Sequence, residues 1–145
     1  MKKSRKRNIL LLGLILVLGI GLLSGCTHKG NPLPEGMDEE TVLAEGRKVV
    51  TLLVNEDYQA VVDQLRPDVA ADVTAEQVEA AMEDAKKAGA YVSESDSMGT
   101  GRTIKDSHDE CAEAVIMAKH EKDVVRYRIA FDTEMNLIGL QVRKV

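Results

Sequence analysis

Residues 111–142, CAEAVIMAKHEKDVVRYRIAFDTEMNLIGLQV, hold three apolar runs separated by two short polar breaks. The breaks, Glu121-Lys122 and Thr133–Asn136, have the length and composition of hairpin loops. In the middle run, Val124–Phe131, the apolar residues Val125, Tyr127, Ile129 and Phe131 recur at every second position. That is the period of a strand with one buried face. The run before it, about Cys111–Lys119, and the run after it, Leu137–Arg143, complete a three-strand meander. In the last run Ile138, Leu140 and Val142 share a face. If each hairpin closes evenly, Ala114, Ile116 and Ala118 lie on the same side as Tyr127 and Ile129. The other side then carries Cys111, Glu113, Val115 and Met117, followed by Val124, Arg126, Arg128 and Ala130, and by Gly139, Gln141, Arg143 and Val145.

Towards the N-terminus, Tyr91–Ser95 begins an earlier strand whose end, near Gly99 and Gly101, is not marked. Before Gly89 the apolar period is helical. Glu39–Val54 places Val42, Leu43, Gly46, Val49, Val50 and Leu53 on one stripe, behind Asp38 as a cap. Asn55 is expected to cap a second helix carrying Tyr58, Val61, Val62 and Leu65, which Pro67 stops. Thr74-Ala75-Glu76-Gln77 reads as a capping box, with Val73 and Val78 placed as its hydrophobic staple. Val78, Ala81, Met82 and Ala85 continue that third helix to Gly89. Three N-terminal helices followed by a four-stranded antiparallel sheet with one apolar face predict an α+β fold, with the helices packed on that face.

The N-terminus has a different logic. Lys2, Lys3, Arg5, Lys6 and Arg7 precede an apolar stretch, Ile9–Leu23, and then Ser24-Gly25-Cys26. A basic head, an apolar stretch and small residues describe a signal peptide. A permanent membrane helix is the alternative. Fifteen residues span only about 22 Å, short of the ~30 Å hydrocarbon core, so the signal peptide is preferred. Leu23-Ser24-Gly25-Cys26 resembles the lipobox of bacterial lipoproteins. That resemblance implies cleavage between Gly25 and Cys26 and a diacylglyceryl thioether on Cys26. Two acyl chains suffice for stable anchoring. The expected organisation is a signal peptide (1–25), a lipidated tether (26–37) and an α+β domain (38–145) at the extracytoplasmic face of the cell membrane. The tether's glycines and prolines prevent a regular element, and Thr27–Met37 extends to about 36 Å at most.

The chain has 19 basic and 24 acidic residues, and five of the bases lie in the first seven positions. Removing residues 1–25 therefore leaves 14 bases against 24 acids, a net charge of −10. Nucleic acid is not an expected partner of so acidic a domain. Against that background the outer sheet face is unusual. It is half apolar, and the assumed register sets Arg126 opposite Arg143, an unfavourable like-charge pair on a bare sheet. Met117, Arg126, Arg128 and Arg143 are therefore candidates for a covered surface: a second copy, another envelope protein, or anionic headgroups near the tether. The competing reading is that Glu113 and nearby acids neutralise the arginines and the face stays wet.

Few residues suggest chemistry. Asp106-Ser107-His108-Asp109-Glu110 is the most site-like cluster, but neighbours in an extended chain point to opposite faces, and a solvated loop is the simpler reading. His120-Glu121 lacks the second histidine of a zinc helix, and His28 lies in the tether. No nucleophile elbow, phosphate loop or C-x-x-C is present. Neither a catalytic set, a metal nor a cofactor is expected. Cys111 reads as an inert packing residue rather than a redox thiol. Tyr58, Tyr127 and Phe131 are candidates to line a pocket between helices and sheet, with plain core as the alternative.

Two segments, Val54–Val69 (VNEDYQAVVDQLRPDV) running into Thr74–Gln77, and Val124–Val142 (VVRYRIAFDTEMNLIGLQV), resemble domain of unknown function 3887. The resemblance spans roughly residues 40–145 and implies a lipoprotein of the Gram-positive type. It also implies a cone-shaped fold like that of nuclear transport factor 2, and it carries over no catalytic residue. The expected function is a non-enzymatic, membrane-tethered binding or interaction domain. The alternative is an envelope enzyme or small-ligand carrier that uses the space between helices and sheet.

Overall fold

A computed structural model describes residues 30–145. The signal segment, Gly25, Cys26 and His28 lie outside the described residues. Among the described residues the architecture is α+β: five helices, then one antiparallel sheet of four strands in the order β1-β2-β3-β4.

Helix α1 (Glu39–Val54) starts where the Asp38 carboxylate accepts the Thr41 N–H at 2.9 Å, and its stripe of Val42, Leu43, Gly46, Val49, Val50 and Leu53 is buried. Asn55 ends α1 instead of starting the next helix. Helix α2 (Tyr58–Gln64) is capped by Asp57, which accepts from the Ala60 N–H. The chain needs this extra turn, with Glu56 at a φ of 60°, to double back after α1. Pro67 stops α2 and begins α3 (Pro67–Ala70), a single turn that the apolar period does not mark. The Thr74/Gln77 capping box is present at the start of α4 (Ala75–Ala81). The helix expected to run to Gly89 divides at Met82, whose backbone has a ψ of 4° and donates to Glu79. Helix α5 (Glu83–Ala88) follows. The stripe of Val78, Met82, Ala85 and Ala88 stays buried across the bend.

Strand β1 (Tyr91–Thr103) pairs with β2 (Glu110–His120), β2 with β3 (Val124–Asp132), and β3 with β4 (Leu137–Lys144). The β2–β3 hairpin closes evenly and the β3–β4 pairing keeps the even register as far as Ala130: Ala114 faces Ile129, Ile116 faces Tyr127, and Arg126 faces Arg143. One position departs from simple alternation. A bulge between Ala130 and Phe131 pairs Phe131 with Leu137, so Leu137 enters the core in place of Ile138. The neighbouring turn shows why. The Asp132 carboxylate takes the N–H groups of Glu134 and Asn136, and Arg66 N–H donates to the Leu137 carbonyl, pinning the start of β4 to the end of α2.

Among the described helices, α1 packs over β1 and β2 and α5 over β3 and β4, while α2 packs against α1 and α4. Small residues set the spacing. A Cβ on Gly46 would come within 2.4 Å of the Ala114 methyl, so α1 rests directly on β2. The space between the layers is filled by Leu53, Ile116, Tyr127, Ile129 and Leu137, all at 2 % exposure or less. At roughly 25 cal/mol per Å², burying side chains of this size supplies most of the fold's stabilisation.

Candidate functional site

The helix-free face of the sheet is built by side-chain parity. Since Ile116 and Tyr127 face inward, Met117 and Arg126 face outward, as do Val115 and Arg128, and Glu113 with Thr100. Strand β1 adds Arg102 and β4 adds Arg143 to the same face. At its centre lies Glu113, whose side chain is only 4 % exposed. Arg102 donates to one carboxylate oxygen at 2.7 Å, and Arg128 donates two N–H groups to the other. Burial pushes this carboxyl up, but the two arginines outweigh it and hold it below the ordinary 4.5. The neutralisation envisaged for Glu113 is thus present for Arg102 and Arg128. It does not extend to Arg126, which faces Arg143 across the β3–β4 pairing and whose buried Nε has no partner among the described residues. Cys111 is at the edge of this face, 2 % exposed, with no disulfide among the described residues. Burial, then the nearby Glu113 charge, push its thiol up, away from the reactive thiolate.

A second feature is an open cleft of about 500 Å³ between the end of α1, α2, α5 and the start of β1. Its walls include Leu53, Tyr58, Met82, Lys86, Tyr91 and His120. His120 forms its floor. The His120 Nδ1 lies 2.7 Å from the Gly89 carbonyl and its Nε2 2.9 Å from the Tyr127 hydroxyl. A proton on Nδ1 donates to Gly89 and leaves Nε2 to accept from Tyr127. Burial pushes the Tyr127 phenol well above its ordinary value, so this hydroxyl stays protonated and donating. Tyr91 meets the His120 ring edge-on at 5.7 Å. Lys86 pairs with Glu79 at 2.6 Å and sits 5.6 Å above the Tyr58 ring. The Tyr58 hydroxyl is buried without a partner among the described residues.

Of the three residues named for a pocket, only Tyr58 lines this cleft; Tyr127 and Phe131 are core, at 0 % and 3 % exposure. Tyr127 touches the cleft indirectly, through His120. The Asp106–Asp109 segment is a turn between β1 and β2, closed by Ile104 N–H to Asp109 and His108 N–H to Ile104. Among the described residues no group of three His, Cys, Asp or Glu side chains is placed to hold a metal. No described helix is long and apolar enough to cross a membrane. Sequence reasoning missed His120 as the partner of Tyr127, although its parity with Ile116 and Ala118 marks it as inward-facing. It also missed Thr100 and Gly101, which hold the N-terminal segment: Asn31 N–H donates to the Thr100 hydroxyl at 2.9 Å, and Gly101 N–H donates to the Asn31 carbonyl.

The sequence profile of the family described as "Protein of unknown function (DUF3887)" matches residues 46–140. The chain is also similar to a protein from Ruminococcus gnavus ATCC 29149 whose structure was solved by NMR. The two share 26 % identity at a TM-score of 0.65, over 77 % of this chain and 96 % of that one. No curated protein matches. The matched segment begins at Gly46, where α1 meets the sheet, and ends at Leu140 in β4, so it takes in nearly all of both layers. The chain belongs to the DUF3887 family of proteins of unknown function.

Proposed function

We propose that this protein is a lipid-anchored, extracytoplasmic lipoprotein whose domain is a non-enzymatic binding module, cone-like in the manner of nuclear transport factor 2. Its binding surface is the helix-free face of the sheet. What supports the reading is the contrast between the two sides. The inward side is packed solid with Tyr127, Ile116 and Ile129, while the outward side sets Arg126 and Arg143 against each other beside the half-buried Val115 and Met117. Like charges placed opposite one another are unfavourable on a bare sheet and become favourable under an anionic or polar partner.

The anchor is tested by mass. Wild-type protein from membranes is expected to lack residues 1–25 and to carry a diacylglyceryl group on Cys26, whereas Cys26→Ala accumulates as precursor. An unlipidated wild-type chain that retains residues 1–25 refutes the anchor. The surface is tested by crosslinking in intact cells and light scattering, where changing Met117 and Arg126 together to Glu should remove any contact while circular dichroism stays unchanged. Contacts that survive this double change, or a wild-type domain that is monomeric, ignores anionic vesicles and yields no crosslinked partner, refute it.

A ligand carrier or envelope enzyme is the second reading, favoured by the buried, unpartnered Tyr58 hydroxyl in the cleft beside Lys86. A small molecule that co-purifies with the wild type and is lost in Tyr58→Phe would favour it.

A further inference from the structure

The N-terminal segment crosses the free edge of β1. Gly30 sits against the Thr100 side chain, where a Cβ would come within 2.7 Å of its Cβ and Oγ1. Thr100 pairs with Glu113, so this contact lies on the helix-free face. Pro32 then passes over Gly101, whose parity is opposite: a Cβ there would meet the Pro32 carbonyl oxygen at 1.8 Å. Residues 31–34 continue to the helical side, where Leu33 packs on the core. The upstream end of the described chain is therefore delivered to the helix-free face.

Gly30 lies only four chain steps after Cys26. At 3.3–3.6 Å each they reach about 14 Å at most, far less than the ~36 Å of a free tether. A lipid on Cys26 would hold the bilayer surface beside this face and leave the helices on the far side.

Charge is arranged in the same sense. Residues 38–88, which form the helical layer, carry 5 bases and 13 acids, a net of −8. The helix-free face carries Arg102, Lys119, Arg126, Arg128 and Arg143 against Asp96, Glu113 and Asp132, a local +2. Two of those three carboxylates are already engaged, Glu113 by Arg102 and Arg128, and Asp132 by Arg66 and Asn136. An anionic plane attracts one side of such a domain and repels the other.

We propose that the helix-free sheet face lies flat on the membrane, with Arg126, Arg143 and their neighbours against anionic lipid headgroups, so that the domain is oriented as well as tethered. The inference rests on the anchor proposed above. Docking presents the helices and the Tyr58/His120 cleft away from the headgroup plane, on the side a soluble partner or ligand can approach.

The test uses the mature lipidated protein in vesicles of phosphatidylcholine alone or mixed with phosphatidylglycerol, with arginine modification by phenylglyoxal read by mass spectrometry. On the mixed vesicles Arg102 and Arg143 are expected to be protected, while Arg47, paired with Glu94 on the helical side, reacts as it does in detergent. Raising salt to 1 M should remove the protection, because screening shortens to about 3 Å. Arg143→Gln should lower the docked-to-undocked ratio about fivefold, read at Arg102, since one arginine near an anionic surface contributes about that factor. Protein that floats with both vesicle types while Arg143 reacts equally on each overturns docking and leaves the anchor standing. Protein that does not float and carries no lipid overturns both. Protection that persists in detergent and grows with protein concentration shows a second copy on this face, and also overturns docking.

Discussion

Replacing Glu113 by Gln removes the charge that Arg102 and Arg128 share and leaves the side-chain volume almost unchanged. Three N–H groups donate to this carboxylate, which is buried, while the Arg102 and Arg128 side chains are 57 % and 35 % exposed. A hydrogen bond to a charged group contributes about 1.5–3 kcal/mol. Removing one member of a fully buried ion pair costs about 3–5 kcal/mol, because a charge is left dry and unpaired. Here both arginines can turn to water, and Gln keeps one acceptor oxygen, so the expected loss is smaller, about 2 kcal/mol at neutral pH. A domain of this size has a stability of roughly 5–15 kcal/mol and shifts its melting temperature by about 4–8 °C per kcal/mol, so Glu113→Gln should melt about 10 °C lower. The pH dependence identifies the cause. The folded-state pKa of Glu113 lies below its ordinary 4.5. Its contribution is therefore complete above that ordinary value and is lost as pH falls through the depressed one. Urea unfolding followed by far-ultraviolet circular dichroism, at pH 7 and again near pH 3, should show the wild-type and Glu113→Gln midpoints converging in acid. A difference below about 0.5 kcal/mol at pH 7, or one that does not shrink in acid, would refute the idea that the two ion pairs stabilise this face.

The remaining predictions concern the helices and the thiol. Thr74→Ala removes the side-chain half of the capping box on α4 and should cost about 1 kcal/mol in denaturant stability; a change near zero would mean the cap is idle. Gly46→Ala raises helix propensity yet should destabilise by about 1–3 kcal/mol, because the new methyl meets Ala114 at 2.4 Å, and Ala114→Gly in the same chain should recover part of the loss. Stabilisation by Gly46→Ala alone would show that α1 can lift from β2 at no cost. Cys111 should react slowly with a thiol reagent in the native state and fast in urea; equal rates would contradict its burial.

The residues themselves determined the class of structure and most of its register. Period two in Val124–Phe131 and short polar breaks on either side leave a hairpin meander as the way to bury one face, and a slip of one residue would expose the whole apolar set. The capping box at Thr74 and the stripe on α1 are local signals of the same kind, legible because cap and stripe are set by neighbours in the chain. Tertiary structure decided what depends on residues far apart in sequence. The bulge that replaces Ile138 by Leu137 follows from Asp132 holding the turn and Arg66 holding the Leu137 carbonyl, a tie from the end of α2. The break at Met82 leaves the apolar stripe of Val78, Met82 and Ala85 in phase, so periodicity could not mark it. Parity alone placed Arg126 opposite Arg143, but that Glu113 neutralises Arg102 and Arg128 and leaves that pair free required β1, whose length no periodicity marked. The path of Gly30 and Asn31 across Thr100 and Gly101 is the clearest case: glycine and proline excluded a regular element there, and only the edge of β1, seventy residues on, gave those backbone groups partners.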